Sequence, residues 1–157
     1  MKEKVGPAIG RVSSGVYIVT FKNDKGREGM LATWVGQIAF APPMLSIAIN
    51  KEREILNNFA HGAKFAINVL AKKNMNIFKN FAKPYEEGLD RFEDLEVEED
   101  SQGAPIFTRA VAYLSLKVAS IAEAGDHSLV LGEVIDGRVL NGEDEPMVHL
   151  RKSGFQY

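Results

Sequence analysis

The stretch EGMLATWVGQIAFAPPMLSIAINKER, from Glu28 to Arg53, decides how this chain is read. Glu28 to Ala39 is an apolar, strand-like run with Gly29-Met30 at its entry and Ala32-Thr33-Trp34 at its centre. Pro42-Pro43 closes it, because proline cannot donate to a central ladder, so the next strand is expected from Met44 to Asn50, just after Pro43. That strand ends on Asn50-Lys51-Glu52-Arg53. Backbone amides, a hydroxyl, two amide side chains and two cations are thereby directed towards one small region, as a planar ligand with a phosphate tail requires.

Outward from this stretch, Val12 to Phe21 holds the β-branched and aromatic run Val16-Tyr17-Ile18-Val19-Thr20 and ends at the turn-rich Lys22-Asn23-Asp24-Lys25-Gly26. This predicts a strand entering a hairpin. Ile55, Leu56 and Phe59 recur at helical spacing, predicting a short helix that opens near Glu52 and closes before Gly62. Phe65 to Leu70 resumes strand character, and Met75, Phe78 and Phe81 set an apolar face on a second helix over Asn74–Phe81. Pro84 to Asp100 carries nine acids against a single cation, Arg91, and reads as a mostly solvated loop. Val111–Ala122 and Leu129–Leu140 are β-rich and joined by Glu123-Ala124-Gly125-Asp126-His127, a hairpin connection. About six strands and two short helices without strand–helix alternation predict a mainly β fold, a small closed or partly closed antiparallel barrel. With 157 residues, 45% of them apolar, and no repeat or linker, one domain over residues 1–157 is expected.

Composition narrows the chemistry. Lysine and arginine number 19 against 21 acids, a net charge of -2, so no broad field recruits nucleic acid or an anionic membrane. The chain has no cysteine, which removes disulfides, thiolate metal sites, iron–sulfur clusters and a cysteine nucleophile, and electron transfer would need an organic cofactor. The acids, serines and three histidines show no metal-ligand spacing and no Ser-His-Asp pattern. Met1 to Gly10 is mixed and polar, without the apolar run of a signal peptide or a bilayer span, and a cytoplasmic location is the expectation.

The pieces Ser14-Gly15-Val16-Tyr17-Ile18-Val19-Thr20, Gly29-Met30-Leu31-Ala32-Thr33-Trp34, Pro42-Pro43, Phe65-Ala66-Ile67-Asn68-Val69-Leu70 and Gly125-Asp126-His127 to Gly132-Glu133-Val134 follow one another in an order that resembles the flavin reductase-like family. The resemblance covers about Arg11 to Gly137. Gln37 and the Ile49-Asn50-Lys51 ending are most similar to the family branch of flavoredoxins and the flavin domains of high molecular weight rubredoxins, whose iron-binding cysteine module is absent here. The resemblance implies an FMN-binding split β-barrel of antiparallel Greek-key design with flanking helices, working as a homodimer with flavin near the subunit interface. It also implies an oxidoreductase that takes electrons from NAD(P)H through bound FMN, rather than FAD, and passes them to flavin, ferric complexes or a partner protein. A flavoredoxin-like carrier, reduced by a redox partner protein without direct NAD(P)H activity, is the alternative. A third reading, a barrel that has lost flavin and reuses its cleft, rests on Ala39 and Glu54.

Carried to single residues, the resemblance lays Met30, Leu31, Ala32 and Thr33 along the isoalloxazine, where small Ala32 permits close approach. It gives Trp34 a role at the phosphate. Gln37 and Ala39 stand where relatives place serines for the ribityl chain or phosphate; Gln37 still donates and Ala39 does not. Lys51 above all, with Asn50, Arg53 and Arg91, is expected to make up the phosphate end through charge-assisted hydrogen bonds, each on the order of 1.5–3 kcal/mol. Free N–H groups of the helix expected after Lys51 would join them, with Glu52 and Glu54 turned to solvent. Asp90-Arg91-Phe92 resembles the family's Asp-Lys-Phe element, whose cation reaches the phosphate, in some cases across the dimer. His127, beside Gly125-Asp126, is the residue expected near the nicotinamide.

Overall fold

The computed structural model describes all 157 residues. A helix, α1 (Lys2–Ile9), precedes a two-residue strand, β1 (Ser14–Gly15), and the hairpin of β2 (Tyr17–Asn23) with β3 (Gly26–Ala32). The second hairpin joins β4 (Val35–Phe40) to β5 (Pro43–Asn50), and a single 3-10 turn over Glu54–Asn58 leads to β6 (Lys64–Val69). Then come α2 (Met75–Ala82), the short pair β7 (Val97–Glu99) and β8 (Pro105–Phe107), the long hairpin β9 (Ala112–Ala124) with β10 (His127–Val139), and β11 (Val148–His149), which pairs with β1. The fold is mainly β and antiparallel, as the sequence predicts.

Seven strands form one sheet in the order β3-β2-β6-β9-β10-β5-β4. Its two edge strands, β3 and β4, are consecutive in the chain and joined only by Thr33-Trp34. Laid flat, the six gaps between strand axes would separate those edges by roughly 29 Å, yet three Cα steps reach at most about 11 Å. The sheet must therefore roll up until its edges lie side by side. It curls around one apolar cluster drawn from six strands, including Val19 and Phe21, Met30, Ile47 and Ile49, Ile67, Leu116 and Val130. No ladder joins β3 to β4, so a seam stays open where they meet.

Ile18 to Phe21 of β2 are buried without alternation because both faces of the strand are covered. Val19 and Phe21 point into the barrel, whereas Ile18 joins a second cluster with Ile77 and Phe81 of α2, Phe92 and Phe107. Each of these buried side chains adds about 1.5–3 kcal/mol of transfer free energy. Two of the three hairpin turns follow local glycine chemistry, those of β2–β3 and β9–β10. Gly26 adopts φ +113 after Asp24-Lys25, and Gly125 takes φ +61 at the first central position of the β9–β10 turn, where a type II′ hairpin wants glycine.

Several expectations need correction. Glu28–Ala39 is two strands rather than one, because Thr33-Trp34 cross the seam from one sheet edge to the other. The helix expected from Glu52 is only the five-residue 3-10 turn, too short to offer the row of free N–H groups predicted for an anion. On α2 the buried positions are Ile77 and Phe81; Met75 is exposed. The acidic loop is pinned from within, since Phe92 and Asp100 are buried and β7 lies inside it. Met1–Gly10, read as mixed and polar, contains the whole of α1 with its two caps.

Candidate functional site

A cleft of about 430 Å³ opens at the seam. One wall is the end of β3 with the crossing residues, Met30 to Trp34; a second is the end of β5, Ala48 to Asn50; the third is α2 with Phe78 and Phe81 and the chain that follows as far as Tyr85. Arg53, Arg91, His149 and Tyr157 complete the rim. Eleven of the eighteen lining residues are apolar, which suits a planar organic ligand with a few polar anchors. A wider depression of about 680 Å³ around Arg27 and Asp90 has only three apolar residues among twelve and lacks that character.

The seam explains the polar side of this cleft. Beyond the last ladder residue of β3, the N–H groups of Thr33 and Trp34 donate to no backbone carbonyl. Ala32, with 7% of its surface exposed, leaves the floor shallow. At the far end of β5, the Asn50 side-chain oxygen accepts from Glu52 N–H at 2.9 Å and the Asn50 carbonyl accepts from Arg53 N–H at 3.1 Å. This tight turn folds Arg53 back to the rim. Arg91 arrives from the acidic loop, held by the burial of Phe92 and by Asp90, which accepts from Phe92 N–H at 2.9 Å and pairs with Arg27 at 2.6 Å. Its guanidinium lies 5.4 Å from the Phe81 ring and 5.6 Å from the Tyr85 ring.

Neither Arg53 nor Arg91 takes part in any of the chain's ion pairs. Burial pulls the Arg91 guanidinium below its ordinary range; Glu28 opposes this, and the neighbouring Arg53 pulls it down further. Two cations thus face one cleft close enough to disfavour each other, and neither is held in an ion pair.

The opposite rim is built differently. His127 opens β10 in register with Asn50 and is buried, with 8% exposed. Its ring stands 4.9 Å from that of Trp34, its Nδ1 is 2.7 Å from the Asp126 carboxylate and its Nε2 is 2.7 Å from the Tyr157 hydroxyl. The hydrogen bond from His127 holds the Asp126 carboxyl below its usual range, and burial pushes the Tyr157 hydroxyl up, with Arg53 opposing. In a neutral imidazole these partners assign the roles: Nδ1–H donates to Asp126, and Tyr157 O–H donates to Nε2.

Of the residues singled out from sequence, Met30, Leu31, Ala32, Thr33, Trp34, Asn50, Arg53 and Arg91 meet in this cleft, and His127 stands behind Trp34. Gln37 and Lys51 do not. Gln37 is exposed on β4 and bonds only the Ala39 carbonyl, at 3.3 Å. Lys51 gives its N–H to the Asp126 carbonyl at 3.1 Å and its amine to Glu123, because the β9–β10 turn captures both. Sequence reasoning missed Tyr157 and His149, which carry no local signal; Phe78, expected on the apolar face of the second helix, packs against the buried cluster and also lines the cleft.

The family model for the flavin reductase like domain matches residues 9–156. Diflavin flavoprotein A 1 of Synechocystis sp. is 41% identical over 151 residues, covering 96% of this chain and 26% of its own length. The chain spans about a quarter of the length of the curated relatives it matches. Among solved structures, Streptomyces globisporus C-1027 NADH:FAD oxidoreductase SgcE6 superposes with a TM-score of 0.83 at 27% identity, covering 93% of this chain and 86% of that one. Flavin reductase HpaC, solved with NADP+, superposes with a TM-score of 0.80 at 28% identity over 97% of this chain and 95% of that one. No helix of the chain is long and apolar enough to cross a membrane. With the rolled sheet, the seam cleft and these relatives in agreement, the chain belongs to the flavin reductase like domain family.

Proposed function

We propose that the seam cleft binds FMN and that the chain uses it to oxidise NAD(P)H and reduce a flavin, a ferric complex or a partner protein. The observation that carries this is the unpaired Arg53–Arg91 couple at one end of an apolar cleft. A phosphate of charge about -1.5 to -2 near neutral pH relieves the repulsion between the two guanidiniums, and FMN presents such a group where FAD presents a diester. The shallow floor at Ala32 and the unengaged N–H groups of Thr33 and Trp34 suit a flat ring with a polar edge. The flavin supplies the redox chemistry, accepting two electrons and a proton as hydride from the nicotinamide and passing electrons on. The chain's own work is to hold the ring against β3, neutralise the phosphate, and keep a side of the cleft, that of Trp34 and His127, for the donor.

In this reading residues 1–157 act as one flavin domain, in the cytoplasm where NAD(P)H is available, and two copies pair. Ile38 and Phe40 on β4, with Ile121 on β9 and Ile135 on β10, are exposed apolar side chains suited to such pairing. Fluorescence titration with FMN and FAD, followed by anaerobic addition of NADH and NADPH, tests the proposal. The expected result is tighter binding of FMN and bleaching of its visible absorbance by a nicotinamide. No binding of either flavin sinks it; binding without bleaching, together with reduction by a donor protein, makes the chain a carrier. Sedimentation at micromolar concentration checks the pairing, and a monomer there refutes it.

A further inference from the structure

Residues 151–157 return over the mouth of the cleft as a strap, held very differently at its two ends. Near α1 it is sewn down. Arg151 N–H donates to the Gly10 carbonyl at 3.2 Å and Gly154 N–H to the Gly6 carbonyl at 2.7 Å. A Cβ on Gly154 would stand 2.3 Å from Ile9 Cβ, so the two segments are as close as glycine allows. The Arg151 guanidinium lies 5.1 Å from the Trp34 ring and donates to the carbonyls of Gly154 at 3.4 Å and Gln156 at 3.3 Å, which shapes the strap. At the other end Tyr157 leans on Trp34, with ring centroids 5.6 Å apart, and its side chain makes one hydrogen bond, to His127 Nε2. Tyr157 is 77% exposed and lines the cleft.

We propose that Tyr157 is a displaceable gate that sets access of the electron donor. Resting on the reading of the cleft as a flavin site, it covers Trp34 and His127, the side left for a second planar ring. A nicotinamide must push it aside, whereas a small inorganic reductant does not. His127 is then a positioning residue, and Asp126 fixes the ring so that Nε2 faces the tyrosine. A hydrogen bond of ordinary net strength favours the closed strap by roughly twofold to tenfold. The donor's apparent affinity is reduced by the fraction of molecules that are open.

Trp34 is the only tryptophan, which supplies a readout independent of activity. The test compares the parent with Tyr157→Ala and with Tyr157→Phe, which keeps the ring and loses the hydrogen bond. Acrylamide quenching of Trp34 is measured on flavin-free protein, then flavin affinity, initial rates over a range of NADH and NADPH, and anaerobic bleaching by dithionite. Expected for Tyr157→Ala are stronger quenching of Trp34 and a donor KM lower by roughly twofold to tenfold. Bleaching by dithionite, which needs no displacement of the strap, should match the parent, and Tyr157→Phe should shift quenching and KM the same way by less. Unchanged quenching overturns the placement of Tyr157 on Trp34. An unchanged or raised KM, or an equal gain with dithionite, overturns the gate. A parent that binds no flavin overturns the functional reading and the donor's part of this proposal with it, while the Trp34 signal still judges the strap by itself.

Discussion

The two rims of the cleft solve opposite problems. At the Arg53–Arg91 rim two cations stand without an ion-pair partner, Glu28 acting on Arg91 only from outside salt-bridge reach, so direct pairing is left to an incoming anion. At the His127–Tyr157 rim the titratable side chains have found partners inside the chain: hydroxyl to imidazole, imidazole to carboxylate. A ligand at the first rim adds interactions. A ligand at the second must first replace some. The first rim therefore favours tight retention, and the second favours exchange, which is the division of labour between a resident flavin and a passing donor.

Removing the cations is the strongest way to break this contrast. Arg91→Ala should weaken FMN by roughly tenfold to a hundredfold, the value of a charge-assisted hydrogen bond, as read by fluorescence titration. Arg53→Ala should act in the same direction. Because the two guanidiniums repel in the free protein, each change should leave the free energy of unfolding within about 0.5 kcal/mol of the parent or slightly raise it. Lys51→Ala is the internal control. With its amine on Glu123, it should change FMN affinity by no more than about twofold, the scale of an exposed ion pair. A large loss at Lys51 with none at Arg91 would return the phosphate to the position that the sequence first favoured.

How much of this was legible depends on the range of the signal. The β9–β10 hairpin and the β2–β3 hairpin are written in a few adjacent residues, Gly125-Asp126 and Asp24-Lys25-Gly26, and both were readable. The Met30–Trp34 segment was readable through its family resemblance, but the strand break within it was not. It follows from closure of a seven-stranded sheet, which no local period records. Lys51 stands out in sequence as a cation where a strand gives way to an expected helix, and the capture of its N–H by Asp126 and of its amine by Glu123 turns it away. Arg91 looked like one cation in an acidic loop; burial of Phe92 is what aims it. α1, with Gly6 and Pro7 inside it, carries weak helix signals, and its partner strap lies over 140 residues away in sequence.

A smaller effect is expected where the strap is sewn to α1. Gly154→Ala places a methyl group against Ile9, and the easiest relief is to lift the strap rather than to disturb the barrel. Trp34 quenching should rise and the donor KM should fall by roughly twofold to tenfold, as for the loss of one hydrogen bond. Flavin affinity should not move. If flavin affinity fell together with the KM, the two rims would not be separable and the contrast drawn between them would fail.

The smallest effect concerns the support of Arg91 and depends on pH. The hydrogen bond from Arg27 holds the Asp90 carboxyl below its usual range, against a weaker push from burial and with help from the Phe92 N–H. A folded-state pKa lowered in this way stabilises the protein above the unfolded value, about 3.9, and that contribution is lost as pH falls through the folded value. The pair is half exposed, with side-chain accessibilities of 39% and 48%, so it is worth only about 0.2–1 kcal/mol and is screened by salt. Asp90→Asn keeps an acceptor for Phe92 N–H while removing the charge. At pH 7 and low salt it should weaken FMN by roughly twofold to fivefold, and the difference from the parent should shrink at high salt. Asp126→Asn at the other rim should do the reverse, leaving FMN affinity alone and loosening Tyr157 through His127. If both carboxylates acted on flavin affinity alike, the cleft would be a single coupled site, and the incomplete rim and the self-satisfied rim would be one device rather than two.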